Sequence, residues 1–311
     1  MRNADCGTNS AIVPLFLHRS TFIDIISPKK FYRCSDCASA FRISYSVFLG
    51  SSALDVMRLS QVALQLYTLR DFCGSAKDLA TTLKKVKAIG YDAVEFVRSD
   101  FASNRDLRKL ADDHGLAISA IHESGERLLN HPQTAAEELT ELGTDLAVYA
   151  FPAGVDFQKE AEVDRLAHQL RHSSEVFAAA GKRLVYHNHA LEFTKHGEEL
   201  ILEYIFANAP KLLAELDTYW IQFGGGDPVH WISQLKGRVP LIHLKDYKFN
   251  PRKNIPEMAE IGRGNLNFTA IVEQGQAAGC EWFIVEQDFC EGDPFTAIQV
   301  SLEYLKGTEM A

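Results

Sequence analysis

From residue 58 onward, short apolar runs rich in β-branched and aromatic residues alternate with longer stretches whose apolar residues recur three and four positions apart. The first pattern is typical of strands that are buried on both faces, and the second is typical of amphipathic helices. Eight such runs occur, at residues 62–67, 93–96, 117–122, 146–151, 183–187, 212–217, 239–245 and 282–286.

Eight strand–helix repeats over residues 58–311 predict an α/β fold, namely a single (β/α)8 TIM barrel. Glycines at the predicted helix ends support this interpretation: Gly90, Gly115, Gly181 and Gly279 each precede the next strand. An open doubly wound sheet is the alternative. Such a sheet normally has a glycine-rich turn after its first strand, whereas this chain has the sequence Leu-Tyr-Thr-Leu-Arg at 66–70.

Residues 1–57 differ sharply in composition from the rest of the chain. They contain no Glu, four Asp, six Lys plus Arg and nine Ser. We expect a poorly ordered N-terminal extension with Met57 as the functional start, and a targeting leader is the alternative. The pair Cys34 and Cys37 has the spacing of half a zinc site, but two further ligands are not evident. The other cysteines are scattered, which favours reduced cytosolic thiols.

The charge balance excludes some classes of function. The whole chain has a net charge of −9, and residues 58–311 carry 37 of the 41 acidic and 26 of the 32 basic side chains, a net charge of −11. A nucleic-acid-binding protein needs a basic surface, so we expect no nucleic-acid partner. No apolar run approaches the ~20 residues of a membrane span. We therefore expect a soluble, cytoplasmic protein.

Metal-capable side chains lie at the ends of four consecutive predicted strands. They are His187, Asp217, His243 and Glu286. Because the carboxyl ends of barrel strands meet at one mouth, these four are predicted to converge there. Two imidazoles and two carboxylates suit Mn²⁺, Zn²⁺, Co²⁺ or Mg²⁺. Glu215 lies one layer deeper, where it is expected to be part of a polar interior layer or a partner of a ligand.

The motifs at these strand ends resemble those of the xylose isomerase-like barrel superfamily. They are His-Asn-His-x-x-Glu-Phe from residue 187, Leu-Asp-x-x-Trp from 216, His-x-Lys-Asp from 243 and Val-Glu-Gln-Asp from 285, with the segment 64–70 and the Gly-Arg-Gly of 262–264. Their order is similar to that in the sugar phosphate isomerase/epimerase group, which includes inosose dehydratase, ketose 3-epimerases and 3-dehydroshikimate dehydratase.

The resemblance implies a divalent metal cofactor, Mn²⁺ before Zn²⁺, Co²⁺ or Mg²⁺, held by Asp217, His243 and Glu286. The fourth ligand would come from the end of strand five, as His187 or as Glu192 from the following loop. Epimerases of the group usually have Glu there. The implied activity is that of a sugar isomerase or epimerase that abstracts a proton next to a metal-bound carbonyl of a keto-sugar, polyol or keto-glycoside. A lyase or dehydratase that uses the same site is the alternative.

Working roles follow from these positions. Glu286 or His189 is expected to accept the proton, and Lys245 to donate to the oxygen that gains charge. Six further residues are expected to contact a small carbohydrate substrate: Tyr67, Glu95, His122, Glu192, Trp220 and Arg263. For Glu95 a salt bridge to Arg98 or to a neighbouring strand is an equal alternative, and Arg263 either favours an anionic substrate or lies on the surface.

Two other classes of function compete with this hypothesis. An endonuclease IV-like DNA repair enzyme shares the fold, but it needs a trinuclear metal cluster and a basic face, and the charge of −11 over residues 58–311 disfavours it. A non-catalytic sugar-binding barrel would have no use for the ligand set. The sequence leaves the substrate and a possible homo-oligomeric state open.

Overall fold

The computed structural model describes residues 57–308, in which eight parallel strands close into a barrel. Each strand pairs with its neighbours in the chain, and the last pairs with the first. The barrel strands are β1 (Val62–Gln65), β2 (Ala93–Val97), β3 (Ala117–Glu123), β4 (Leu146–Tyr149), β5 (Arg183–His187), β6 (Leu213–Asp217), β7 (Leu241–Leu244) and β8 (Trp282–Val285). The predicted extension over residues 1–57 lies outside the described residues except for Met57, which is buried.

The predicted TIM barrel is confirmed, and all eight predicted runs contain a strand. One difference concerns the run 62–67, whose strand ends at Gln65. The Gln65 side chain accepts a hydrogen bond from the backbone N–H of Tyr67 at 3.0 Å, and this contact starts a 3₁₀ helix over Leu66–Phe72. Hydropathy alone does not separate a strand from this helix, because Leu66 and Leu69 are apolar and are buried in the 3₁₀ helix.

Helices cover the outside of the barrel. They are α1 (Ala76–Ile89), α2 (Asn104–Asp113), α3 (Gly125–Asn130), α4 (Pro132–Leu142), α5 (Glu160–Ala179), α6 (Ile201–Asn208), α7 (Thr218–Phe223), α8 (Pro228–Gln234), α9 (Phe268–Ala278) and α10 (Pro294–Thr308). Gly90 and Gly279 follow α1 and α9 with φ of 117° and 88°, in the left-handed region predicted for a glycine cap. None of the helices within residues 57–308 is long and apolar enough to cross a membrane.

Two hairpins and two short 3₁₀ turns complete the described chain. A hairpin of Asp246–Asn250 and Ile255–Ala259 follows β7, and a shorter one of Lys195–His196 and Glu199–Leu200 follows β5. The 3₁₀ turns are Leu59–Gln61 before β1 and Leu191–Phe193 after β5.

The barrel interior is built in layers. Its floor consists of apolar residues: Ala63, Ala93, Ala120, Leu146, Val148, Val185, Leu241 and Ile284. Two residues further along a strand, on the same face, the side chain becomes polar, as in the pairs Val185 and His187 or Leu241 and His243. The register places Asp217 of β6 directly opposite His243 of β7. A polar layer therefore lies on an apolar floor, at the carboxyl end of the strands.

Helix α9 approaches the barrel closely at Gly275. A Cβ atom at this position would lie 2.7 Å from a ring carbon of Phe283 and 2.8 Å from the Cδ1 of Ile242. Both distances are far below an ordinary contact. The glycine thus allows the helix to pack against β7 and β8.

We predict that Gly275→Ala lowers the free energy of unfolding by about 1–3 kcal/mol through overpacking, although Ala is the better helix former. Urea unfolding followed by circular dichroism measures this change. Gly307→Ala in α10, where nothing lies within 4 Å of the added Cβ, is the matched control and should leave stability unchanged or slightly higher. A Gly275→Ala protein as stable as the control would contradict the packing argument.

Candidate metal centre

The four side chains predicted to bind a metal converge in the structure. His187 ends β5, Asp217 ends β6, His243 lies on β7 and Glu286 follows β8. Each offers one ligand atom, and these atoms all lie within 4.8 Å of one another. All four side chains are buried. Neighbouring parallel strands thus bring residues almost one hundred positions apart to one place.

Lys245 supplies positive charge to this group. Its ammonium lies 3.0 Å from Asp217 Oδ2, 2.7 Å from Glu286 Oε2 and 2.8 Å from Asp288 Oδ2. Burial on its own would lower the pKa of Lys245, but the three carboxylates outweigh it and hold that pKa well above its ordinary value. The lysine is therefore charged at neutral pH.

The two ligand carboxylates differ in their electrostatic environment. Burial raises the pKa of Asp217 to about 6, although Lys245 and His243 act in the opposite direction. Burial also acts on Glu286, but the charges of Lys245 and His243 outweigh it and hold its pKa well below the ordinary range. Glu286 is thus ionised. The Asp217 carboxyl would readily release its proton when a cation binds.

The two ligand imidazoles differ as well. Burial lowers the pKa of His187 to about 3, so that this ring is neutral and can offer a lone pair. His243 lies between two carboxylates, with Nδ1 2.8 Å from Glu286 Oε2 and Nε2 2.7 Å from Glu95 Oε2. Burial opposes the charged form of His243, but Glu215, Glu286 and Glu95 outweigh it and raise its pKa well above the ordinary value.

Several buried polar atoms around this group lack a hydrogen bond, among them Asp217 Oδ2 and His187 Nδ1. Asp217 Oδ2 lies 3.0 Å from the Lys245 ammonium, so this contact is an ion pair without hydrogen-bond geometry. An unsatisfied buried polar group costs about 1–3 kcal/mol. A divalent cation would give Asp217 Oδ2 a partner, and two imidazoles with two carboxylates form a donor set that such cations accept. The residues present therefore fit a divalent metal.

Two residues that sequence analysis did not single out hold the strand ends in place. Asn188 Oδ1 accepts the backbone N–H of Asp217 at 3.0 Å, which ties the loop after β5 to β6. Thr218 Oγ1 donates to the carbonyl of Lys245 at 2.8 Å and accepts the Lys245 N–H at 3.0 Å. Both lie directly beside ligand positions in the sequence, and this adjacency is the only signal that could have indicated them.

A cavity of about 670 Å³ opens above the metal-capable group. His187, His189, Lys245 and Glu286 line its inner part. His189 is packed edge-on against His187, with ring centroids 4.9 Å apart, and its Nδ1 has no hydrogen-bond partner. Burial and the charges of neighbouring groups lower the pKa of His189 to about 2. Its ring is consequently a neutral base that faces the cavity.

Of the six predicted substrate contacts, two line this cavity. Tyr67 is 40% exposed at the mouth, and His122 lies deeper, where its Nε2 is 2.8 Å from Glu215 Oε2. Trp220 stands beside the cavity, with its ring centroid 5.4 Å from that of His189 and 5.8 Å from the Lys245 ammonium. It lines a neighbouring groove with Phe289.

Glu95 does not lie where sequence analysis expected it. It is in the middle of β2, has no exposed surface and is absent from the cavity lining. Its Oε2 receives a hydrogen bond from Gln65 Nε2 at 2.8 Å. Of the two alternative partners, Arg98 instead donates to Glu123 Oε2 at 2.8 Å, whereas the neighbouring strand β3 does face Glu95, with His122 Nε2 3.4 Å from Glu95 Oε2. The strand extends two residues beyond Glu95, so this side chain lies below the mouth.

Glu192 is turned away from the metal-capable group. The Tyr186 hydroxyl donates to its Oε1 at 2.8 Å, and the His189 backbone N–H donates to its Oε2 at 2.8 Å. Neither metal-capable group found among residues 57–308 includes it. Burial raises the pKa of Glu192 to about 7. The position of this side chain indicates that it fixes the loop carrying His189, and it lies outside the cavity lining.

Arg263 is exposed and lies outside the cavity lining, which agrees with the surface alternative. The glycines on either side of Arg263 donate backbone hydrogen bonds to Asp246. The buried Asp246 carboxylate accepts the backbone N–H groups of Gly262 at 3.0 Å and Gly264 at 2.7 Å, together with those of Tyr247 and Leu266. A Cβ at Gly264 would lie 2.3 Å from an Asp246 oxygen. The Asp of the His-x-Lys-Asp motif is therefore a loop anchor.

We predict that Asp246→Asn lowers the free energy of unfolding by about 2–3 kcal/mol, because an amide nitrogen would face backbone donors that lose their acceptor. Chemical denaturation measures the change. Asp227→Asn is the matched control: Asp227 caps α8 from an exposed position, and Asn caps a helix equally well. Equal stability of the two variants would contradict the anchoring role.

With this geometry established, the chain can be compared with known proteins. The family model described as "Xylose isomerase-like TIM barrel" matches residues 83–308, well over half of the chain. The chain belongs to the xylose isomerase-like TIM barrel family. Membership agrees with the resemblance inferred from the strand-end motifs, and the match extends from α1 to the end of α10.

Relatives of this xylose isomerase-like barrel include two inosose dehydratases. The protein from Geobacillus thermodenitrificans is 28% identical over 169 residues, which cover 48% of this chain and 55% of that protein. The protein from Geobacillus kaustophilus is 24% identical over 269 residues, which cover 72% of this chain and 85% of that protein. A solved sugar phosphate isomerase/epimerase from Parabacteroides distasonis has a TM-score of 0.65 at 24% identity, over 82% of this chain and 95% of its own.

Proposed function

We propose that this protein is a divalent-metal-dependent enzyme that acts on a keto-sugar, polyol or keto-glycoside by removing a proton next to a carbonyl, as in sugar isomerases and epimerases. The convergence of His187, Asp217, His243 and Glu286 below one cavity is the observation that carries this proposal. The Parabacteroides distasonis protein, described as a sugar phosphate isomerase/epimerase, supports it.

The cation, when bound, would act as a Lewis acid that polarises the substrate carbonyl and offsets the negative charge that develops there. We assign its ligation to His187, Asp217, His243 and Glu286. The chain itself supplies the proton acceptor. His189 is one candidate, because its ring lines the cavity. Glu286 is the other candidate, but Lys245 and His243 already engage its Oε2.

Lys245 is assigned the role of hydrogen-bond donor to the substrate oxygen that gains charge. Its ammonium borders the cavity and is fixed by carboxylates on three sides. A donor that is held in place before the reaction loses little entropy when it acts. Tyr67 and Phe151, both partly exposed at the mouth, would form apolar walls against a sugar ring.

Dehydration or elimination at the same site is the second candidate. Two observations favour it: β5 ends in His187 where epimerases of the group usually have Glu, and the two curated relatives are named inosose dehydratases. An imidazole at this position keeps a base but removes one of the two carboxylates that epimerisation at a ketose carbon uses. His189 would accept the proton, and Lys245 would assist departure of the leaving oxygen.

A metal assay of purified protein followed by a substrate panel tests the proposal. We expect one divalent ion per chain and activity on inososes, ketoses or 3-keto-glycosides that chelation removes. Incubation in D₂O separates the two reactions: epimerisation yields a deuterated stereoisomer, whereas elimination yields an unsaturated product with ultraviolet absorbance. A protein without stoichiometric metal, whose ligand binding survives chelation, would contradict the proposal and favour a sugar-binding barrel.

Substitutions at the end of β5 test the identity of the fourth ligand. His187→Ala should weaken metal affinity by more than the roughly 10- to 100-fold that is typical for loss of an outer partner. Glu192→Gln should change the metal affinity little, because the Glu192 carboxylate accepts hydrogen bonds from the Tyr186 hydroxyl and the His189 backbone N–H. Competition with a chromogenic chelator measures both affinities. The reverse ranking would assign ligation to Glu192.

Lys245→Met, assayed at saturating metal, should lower kcat by about 100- to 1,000-fold, the usual cost of losing a donor to developing charge. The effect on KM should be smaller, because the donor acts mainly in the transition state. Lys253→Met is the matched control, since Lys253 is exposed in the hairpin after β7 and pairs with Glu257. A Lys245→Met enzyme with unchanged kcat would remove the lysine from the mechanism.

A further inference from the structure

A second group of ionisable side chains lies directly below the metal-capable one. Glu95 and Glu215 have no exposed surface, and both carboxylates face imidazoles. Glu215 Oε2 lies 2.8 Å from His122 Nε2, 2.9 Å from His187 Nδ1 and 3.3 Å from His243 Nε2. This lower group is called the inner layer below; it comprises Glu95, Glu215 and the ring nitrogens that face them.

The inner layer is costly for the barrel to hold. Desolvation of a carboxylate costs several kcal/mol, and well-packed apolar residues in its place are often neutral or stabilising. Glu95 Oε1 and Glu215 Oε1 have no hydrogen-bond partner among the described residues. Fold stability alone does not account for these two carboxylates.

The geometry of the two imidazole ligands indicates what the inner layer does. His187 turns Nε2 towards Asp217 Oδ2 at 3.8 Å and Nδ1 towards Glu215. His243 turns Nδ1 towards Asp217 Oδ2 at 3.8 Å and Nε2 towards Glu95 at 2.7 Å. Each ring therefore faces the metal-capable group with one nitrogen and the inner layer with the other.

We propose that Glu215 and Glu95 are positioning residues: each accepts the inner N–H of a ligand imidazole, so that His187 Nε2 and His243 Nδ1 present their lone pairs to the cation. This inference rests on the proposed metal site. A neutral imidazole has one donor and one acceptor nitrogen, and the partner of one nitrogen decides the role of the other. Carboxylates behind ligand histidines fix the tautomer and the ring orientation in this way.

Contacts around the inner layer are consistent with this role. Gln65 Nε2 donates to Glu95 Oε2 at 2.8 Å and leaves that oxygen in reach of His243. His122 packs parallel to His243, with ring centroids 5.4 Å apart, and its Nε2 contacts Glu215 Oε2 at 2.8 Å. The contact from His187 Nδ1 to Glu215 is short but too oblique for a full hydrogen bond.

The inner layer could instead be a metal site of its own, because His122, His187, Glu215 and His243 also offer ligand atoms within 4.8 Å of one another. Both groups, however, use His187 and His243. If both groups held a cation, His187 and His243 would each have to bind one cation through each ring nitrogen. Both rings would then have lost both of their N–H protons, whereas an ordinary neutral imidazole keeps one. The positioning role requires only ordinary imidazoles.

Chelator competition with Zn²⁺ on the full chain tests the proposal with Glu215→Gln, which keeps the shape and removes the charge. We expect one Zn²⁺ per wild-type chain and an affinity about 10- to 100-fold lower in the variant. Asp246→Asn is the control. Its carboxylate is also buried at this end of the barrel but accepts hydrogen bonds from backbone N–H groups, so its Zn²⁺ affinity should stay within about threefold of wild type.

A second measurement is insensitive to a merely structural role. In ¹⁵N-histidine-labelled, Zn²⁺-loaded protein, we expect His187 to carry its proton on Nδ1 and His243 to carry its proton on Nε2. Glu95→Gln provides the same affinity comparison through His243 should Glu215→Gln not accumulate in folded form. Opposite tautomers, two Zn²⁺ per chain, or unchanged affinity in the folded variants would each overturn the positioning role and leave the proposed function intact. A wild-type chain that binds no Zn²⁺, Mn²⁺ or Co²⁺ would instead overturn the metal site itself.

Discussion

Carboxylates that are buried close together need positive charge beside them, and this requirement determines which residues surround them at the carboxyl end of the barrel. Closure of eight parallel strands puts Asp217, Glu286 and Asp288 around one point, where Lys245 meets all three. One ammonium does not balance them, and Glu95 and Glu215 lie just below. The histidines between these groups supply part of the compensating charge, and a divalent cation would supply more.

The same requirement connects the layers of the interior. The apolar floor excludes water from below, so each polar residue above it has to be satisfied by its neighbours. His187 and His243 stand between the inner layer and the cavity, and they link the charges of one to those of the other. The loops add a further level, because Glu192 fixes the turn that carries His189 and Asp246 fixes the turn after the hairpin.

The fold and the convergence of the four metal-capable side chains could be predicted from sequence because both depend on simple periodicity. Alternation along a strand puts His187 on the same face as Val185, and parallel pairing brings Asp217 opposite His243. The positions of Glu95 and Glu192 could not be predicted in this way. Which way a side chain turns depends on its particular partners, such as the Tyr186 hydroxyl, six residues from Glu192, and the His243 ring, 148 residues from Glu95. Strand alternation carries no information on those partners.

The position at which a cation binds is the most direct test of the proposed metal site. Crystals grown with Mn²⁺ and measured for anomalous scattering would locate the ion without reference to any substrate. We expect one peak per barrel, ligated by His187 Nε2, Asp217, His243 Nδ1 and Glu286, with Glu95 and Glu215 outside the coordination sphere. A peak within the inner layer, or no peak at this end of the barrel at saturating Mn²⁺, would contradict the proposed site.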